Sequence, residues 1–488
     1  MTETLTPTAT AVHSSERSAR RGRWIEEWDP DDDAFWERGG KKIATRNLIW
    51  SMCAEHIGFC VWVLWTIVVL NLGNIGITLS VSELFLLTLL PNAIGAVLRI
   101  PYTFAVPRFG GRAWTVISAS LLLLPTLLLA IVVPSGWLRG LDHDVQVLVL
   151  ALCAATAGVG GGNFSSSMAN ISFFYPERKK GLALGLNAAG GNLGVAVAQL
   201  LVPLVIVVGV PAALVKQPVH PVHLSYAGWM WVPLIALASV MAFTRMDSLR
   251  QAKSDKTSYA RALANGQTWV MSFLYIGTFG SFIGFSFSLP LVIKNTFPAF
   301  LAGHPFIATY LAGLGFVGAL IGSIARPLGG LLSDRVGGAR VTITVFAGMA
   351  LATLSAIKGV QDRSFGLFFG SYMVVFLLSG IGNGSTYKMI PSIFAILGAR
   401  EAVSSDADMK TISVEYKRRA AAVIGIAGAI GAFGGVLIQV VLRQASLTAA
   451  RADWSVPALR VFLGSYVVFA ATTWFVYLRP GSSYAKAL

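Results

Sequence analysis

Twelve apolar stretches, each roughly 18 to 28 residues long, run through this 488-residue chain and set the terms for any fold it can adopt. They cover 48–72, 83–105, 113–133, 145–173, 181–208, 228–244, 269–294, 306–332, 341–357, 365–397, 420–442 and 458–477. Each is continuous rather than alternating, so each reads as a bilayer-spanning helix and none as a barrel strand. Only 12% of residues are charged against 55% hydrophobic, and mean hydropathy is +0.67. A soluble chain would carry about twice that charged fraction. The predicted class is an all-α membrane protein of twelve transmembrane helices.

A net charge of +15 could point to nucleic acid, but the basic residues lie in short loops on alternate sides of the spans. One side carries Arg108, Arg112, Arg178, Lys179, Lys180, Arg245, Arg250, Arg261, Arg335, Arg340, Arg400, Lys417, Arg418 and Arg419. The other carries few, among them Arg139, Lys216, Lys294, Lys358, Arg363 and Arg443. Positive loops face the cytoplasm, which places both termini there in the plasma membrane, with no nucleic-acid partner. The first forty residues are polar and lack the apolar core of a cleavable leader. Cys53, Cys60 and Cys153 lie within apolar runs and read as small hydrophobes, neither a disulfide framework nor a metal set.

The expected organisation is an N-terminal cytoplasmic segment (1–47), a six-helix half (48–244), a cytoplasmic linker (245–267), a second six-helix half (268–478) and a tail (479–488). Within the first segment, the acid- and Trp-rich stretch 23–40 is expected to pack on the cytoplasmic face of the bundle or to anchor at the interface. The two halves repeat each other. Arg99 lies deep in the second apolar run, and Arg326 sits 227 positions later with the same setting; Arg108 and Arg335, Gly110 and Gly337, and Gly111 and Gly338 share that offset. An offset of 220 pairs Asn163 with Asn383 and Ser166 with Thr386. An offset of 240 pairs Gly185, Gly191, Gly194 and Gln199 with Gly425, Gly431, Gly434 and Gln439. Two pseudo-symmetric halves of six helices follow, with a site near the midplane between them, as in major facilitators.

A guanidinium keeps its charge in any protein environment, so an arginine inside a span must face a cavity or a partner. Arg99 lies nine residues from the loop residue Arg108, about 13 Å along a helix, too deep for easy snorkelling. Arg99 and Arg326 read as a pair of clamps, one per half, for an oxyanion. The alternative is a pair of structural arginines satisfied by helix carbonyls. The glycine stripes let helices approach closely, and Asn192 on the first of them either binds substrate or joins helices. Phe164 follows the glycine run 158–162 and is placed facing the cavity; Asn163 beside it reads as a helix–helix hydrogen bond. That run lacks the Lys-Ser/Thr of a phosphate loop. Tyr275, Phe279 and Phe282 share a helix face in the seventh span, and the Tyr275 hydroxyl favours a polar cavity.

Glu55, beside His56 in the first span, is expected near the cytoplasmic end and is the one carboxylate well inside a run. Lys388 in the tenth span either adds positive potential to the site or snorkels to the cytoplasm. His220 and His223 give a weak metal spacing in an external loop, and neither a metal nor a cofactor is expected. No nucleophile–base pair is evident, so the chain is not expected to be an enzyme. A monomer is expected.

With these residues in view, the chain resembles the nitrate/nitrite porter family of the major facilitator superfamily over about residues 28–477. The likeness is carried by AAGGNLG at 188–194, GIAGAIGAFGG at 425–435, GGNFSSSMANISFFYP at 161–176 and LYIGTFGSFIGFS at 274–286. GLLSDRVGGAR at 330–340 resembles the superfamily's gating loop, with Asp334, Arg335 and Arg340; the first-half copy, PRFGGR, lacks the aspartate. The resemblance implies nitrate and nitrite as substrates, exchange by a rocker-switch cycle, and anion binding by Arg99 and Arg326. It implies supporting roles for Asn192, Tyr275, Phe164 and Phe279. Lys388 stands where the best-understood exchangers carry glutamine, which leaves two couplings open: nitrate/nitrite exchange, or nitrate/proton symport using Lys388, Glu55 or His56. A non-transporting membrane anion sensor is the alternative of another class.

Overall fold

The computed structural model describes residues 20–21, 23–208, 222–252, 256–405, 409–448, 450–482 and 484. Twelve helices among them are long and apolar enough to cross a membrane. They are α1 (Asp33–Ile75), α2 (Val81–Thr103), α3 (Gly111–Ile131), α4 (His143–Phe174), α5 (Arg178–Val207), α6 (Tyr226–Arg245), α7 (Gly266–Thr296), α8 (Ala312–Val336), α9 (Gly338–Gln361), α10 (Phe365–Val403), α11 (Glu415–Ser446) and α12 (Val456–Leu478). The first, tenth and eleventh run well beyond the apolar stretches that announced them. Hydropathy marks the hydrocarbon-spanning part of a helix, whereas the helix itself continues into polar surroundings while its backbone bonds are kept. His220 and Lys216, together with residues 1–19 and 22 of the N-terminal segment and 483 and 485–488 of the tail, lie outside the described residues.

Local chemistry fixes the ends. Ser80 and Glu83 form a capping box that starts α2: the Glu83 amide donates to the Ser80 hydroxyl, and the Ser80 amide to Glu83 Oε2 at 2.7 Å. Gly110 and Gly337, the pair 227 apart, both have positive φ (83° and 94°), and each caps one helix while opening the next. A side chain at Gly110 would also meet Trp24 and Ser248 at 2.6 Å. Those two residues belong to a small sheet in which β2 (Trp24–Ile25) pairs antiparallel with β1 (Arg20–Arg21) and parallel with β3 (Ser248–Leu249). With Trp28 packed on Phe174 and Trp36 on Tyr175, the described N-terminal segment folds onto the first half at the end bearing the basic loops. Arg46 pairs there with Asp247, which Asn47 also binds.

The two ends of the bundle differ. At the basic end a cavity of about 280 Å³ opens between α4, α5, α10, α11 and the linker helix Lys256–Ala264. At the opposite end the halves are closed on each other. Lys294 of α7 donates to the Leu70 carbonyl of α1 at 2.7 Å, and Gln199 of α5 to the Ser286 carbonyl of α7 at 2.7 Å. Trp62 packs edge-on against Phe287, and α2 and α11 lie side by side. Large apolar side chains such as Leu152, Leu182 and Leu351 point outward, as lipid contact requires. The structure is thus open at the basic end and shut at the other.

Candidate functional site

Arg99 and Arg326 come from α2 and α8, one from each half, and both are buried. The Arg99 guanidinium spends two donors on backbone carbonyls: Nη1 on Gly428 of α11 at 2.6 Å and Nε on Gly161 of α4 at 3.2 Å. Its Nη2 is buried without a partner among the described residues. Arg326 donates from Nη2 to the Tyr275 hydroxyl at 3.1 Å, and its Nη1 is likewise buried and unpartnered. Each clamp is therefore part structural and part free. The carbonyl partners expected of a structural arginine are present at Arg99, yet one nitrogen remains on each side to meet a ligand.

Aromatic rings line the space these nitrogens share. Phe164 and Phe279 stack with centroids 6.0 Å apart. The Arg99 guanidinium carbon lies 4.7 and 5.0 Å from their centres, and that of Arg326 lies 5.9 and 6.0 Å from the same two. Trp62 and Tyr387 extend the wall, at 5.6 Å from Arg99 and 5.1 Å from Arg326. Aromatic faces carry partial negative charge and offset some of the cationic repulsion at such distances. Tyr275 immediately precedes, and Phe279 lies within, a single π-helical turn, Ile276–Gly280, that interrupts α7. Such a turn re-aims side chains around one extra residue and is frequent at functional sites. Neither that turn nor the part played by Tyr387 and Trp62 is marked by hydropathy. The Tyr387–Lys388 pair was legible only through its lysine.

The other expected residues are distributed unevenly. Phe164 and Tyr387 also line the cavity at the basic end, so they separate the arginines from it. Asn192 is fully buried in α5 with neither amide atom partnered. Asn163 does not bridge helices: its Oδ1 accepts from Ser166 of its own helix at 2.8 Å. Gly191 and Gly194 press α5 onto α1, where an added Cβ would lie 2.8 Å from Glu55 Cγ and 2.4 Å from the His56 carbonyl. Gly431 and Gly434 press α11 onto α7 in the same way, at 2.3 Å from Tyr275 Cδ1 and 2.7 Å from the Ile276 carbonyl. Gly185 and Gly425, at the start of each stripe, do not pack: nothing lies within 4 Å of the first, and only the Tyr259 hydroxyl, at 3.5 Å, is near the second.

One charge sits elsewhere than expected, and a second takes one of the two courses left open for it. Glu55 is not near a helix end but deep in the bundle and 1% exposed, because α1 begins far upstream of its apolar run. Lys388 is turned away from the arginine pair and bonds Asp334 of the gating loop at 2.7 Å, both side chains about half exposed. The long stem of Lys388 lets its ammonium reach the Asp334 carboxylate in the last turn of α8, where both meet water. Arg335 and Arg340 are exposed in that same loop region. His56 donates to or accepts from nothing charged; its Nδ1 lies 2.8 Å from the Gly190 carbonyl. Among the described residues no cluster of three or more His, Cys, Asp or Glu could hold a metal.

Comparison with known proteins identifies the family. The Major Facilitator Superfamily model matches residues 57–439. The nitrate/nitrite transporter NarU of Escherichia coli (strain K12) is 39% identical, over 93% of this chain and 96% of the relative. The chain belongs to the nitrate/nitrite porter family. Another relative, a probable nitrate/nitrite antiporter of Thermus thermophilus, is 32% identical over 95% of this chain and 98% of its own. The major facilitator fold is shared with solved structures at low identity. A bacterial homolog of the human lysosomal transporter Spinster, in an inward-facing and occupied conformation, aligns with TM-score 0.58 and 16% identity over 88% of this chain and 95% of that one. A D-xylose–proton symporter aligns with TM-score 0.59 and 14% identity over 91% of this chain and 98% of that one.

Proposed function

We propose that this porter moves nitrate and nitrite across a plasma membrane by alternating access, exchanging one anion for the other. One observation carries the reading: two buried guanidiniums, one from each half, share one aromatic wall, and each keeps one unpartnered nitrogen. A small, weakly hydrated planar anion suits such a place, since it needs no protons donated back and its faces tolerate aromatic carbon. The bare pair is self-repelling in a low-dielectric interior, because like charges there interact far more strongly than in water. Closure of both halves around an empty site is disfavoured, and a bound anion relieves the repulsion. That is the physical basis for exchange, in which the carrier crosses only when loaded.

The basic end is assigned to the cytoplasm with both termini on it, so the present state is inward-open, and the functional unit is a monomer. Nitrate uptake into proteoliposomes preloaded with nitrite at equal pH tests the reading. Arg99→Lys and Arg326→Lys keep the charge but lose the planar fork, and each is expected to slow exchange by about ten- to a hundredfold at normal membrane levels. Unchanged rates in both variants would overturn the assignment of the pair as the anion site.

A further inference from the structure

We propose that Asn92 and Gln439, at the shut end of the seam between α2 and α11, form a second binding site for the same small oxyanion, exposed to the outer side when the halves rock. This rests on the two-arginine reading and on the assignment of the basic end to the cytoplasm. It adds the station an anion meets before it reaches Arg99.

The seam has a definite register. Arg99 Nη1 of α2 meets the Gly428 carbonyl of α11 at 2.6 Å. Seven residues back on α2, Asn92 Nδ2 lies 2.6 Å from where a Cβ on Gly435 would be, seven residues on along α11. Equal spacing in opposite senses means that the two helices run antiparallel without slip. Four residues beyond Gly435 stands Gln439, and four before Asn92 stands Thr88. Steps of seven and four return close to the same face of a helix, so Arg99, Asn92 and Thr88 form one stripe and Gly428, Gly435 and Gln439 the stripe opposite. Asn92 is thus about 10 Å along the helix from Arg99, and Gln439 is one turn further out. Thr88, Asn92 and Gln439 are fully buried. Neither amide atom of Asn92 or of Gln439 has a partner among the described residues.

The matching seam, α5 against α8, shows what the repeat does without such a site. The offset of 227 puts Ala319 in the place of Asn92 and Gly315 in that of Thr88, while the offset of 240 puts Gln199 in that of Gln439. Gln199 is engaged: its Nε2 donates across the halves to the Ser286 carbonyl at 2.7 Å and, within its own half, to Thr66 Oγ1 at 3.2 Å. It helps hold the outer end shut, whereas Gln439 bonds nothing there. Burying an amide without a partner is costly, and an alanine at position 92 would close the seam more firmly. Two wholly unpartnered amides on one seam, against an alanine and an engaged glutamine on the other, mark a place built for the opposite state. Parting α2 from α11 admits water, and each amide then presents its N–H donors to an entering oxyanion. Being neutral, they hold the anion less firmly than a buried guanidinium does, so it passes on to Arg99. Apolar side chains in their place would leave a dry constriction, which bars ions.

The test is nitrate/nitrite exchange in right-side-out and inside-out membrane vesicles holding the full-length carrier, with saturating nitrite on the far side. Asn92→Leu and Gln439→Met, both near-isosteric, are each expected to raise the KM for nitrate at the outer face about tenfold, the scale of a lost hydrogen bond to an anion. The KM at the inner face is expected to stay within about twofold of wild type. Asn92→Ala, the residue the repeat carries at Ala319, is expected to act in the same direction and serves if the leucine variant reaches the membrane poorly. Asn92→Ser and Gln439→Asn keep a donor and are expected to recover most of the outer KM. An unchanged outer KM in Asn92→Leu and Gln439→Met overturns the proposal. So does a rise of equal size at both faces, which packing alone would give. Arg99→Lys and Arg326→Lys report separately on the central pair: unaltered exchange from both faces in those two removes the two-arginine reading, and the outer station with it.

Discussion

The two ends of this carrier are built from the same repeated helices and yet are in opposite states. At the end away from the basic loops, backbone and small residues meet across the halves. Asn92 of α2 lies where an added Cβ on Gly435 of α11 would be 2.6 Å from its Nδ2, seven residues along each helix from the Arg99–Gly428 contact. At the basic end, α4, α5, α10 and α11 are parted by a cavity, and Gly185 and Gly425 stand free. The glycine stripes thus have two jobs. Gly191, Gly194, Gly431 and Gly434 knit each half internally and need not change as the halves rock. Gly185 and Gly425 are spare clearance at the end that is open.

The largest test of this division is at a knitting glycine. Gly194→Val places methyl groups against the His56 carbonyl, which is backbone and cannot rotate away. Overpacking of this kind costs about 1–3 kcal/mol or more. A lowered melting temperature and poor membrane yield are expected, and wild-type stability would mean that α1 and α5 are not held as drawn. Gly185→Leu probes the open end and should behave oppositely. Stability is expected to be kept, while exchange falls by more than about tenfold because the basic end can no longer close fully. The trapped state is checked with Ala395→Cys on the cavity wall, which a polar thiol reagent should label as fast with nitrate and nitrite as without them. Cys60 and Cys153 are buried and Cys53 half-buried, so the background is low. The smallest effect is expected at Lys388→Met, which removes the ion pair with Asp334 at the rim. Exposed pairs contribute about 0.2–1 kcal/mol, so exchange should change less than about fivefold and nitrate affinity not at all. A large loss of affinity would return Lys388 to the anion site.

Much of the site was legible in the sequence because an arginine in an apolar run has so few options. Arg99 and Arg326 could be placed at equal depth by their offset alone, and Tyr275, Phe164 and Phe279 indeed gather around them. Tyr387 was hidden behind its neighbour Lys388, since a charge draws attention and a tyrosine in a span does not. The helical twist turns these two side chains roughly 100° apart, one to the site and the other to Asp334. Glu55 was misplaced for a different reason. Depth was counted from the start of the apolar run at residue 48, whereas α1 starts at Asp33 with its first turns folded under the Trp28 and Trp36 cluster.

The sequence by itself determined the twelve spans, the duplication and the pair of deep arginines that we propose as the anion site. Hydrocarbon thickness sets the length of an apolar run, and a buried permanent charge leaves little freedom about its role. Only the tertiary structure decided which end is open, which glycines touch, what Lys388 pairs with and how deep Glu55 lies. Those depend on how two rigid halves lean on one another and on where each helix begins in space. Such relations join residues far apart in the chain, and no local pattern encodes them.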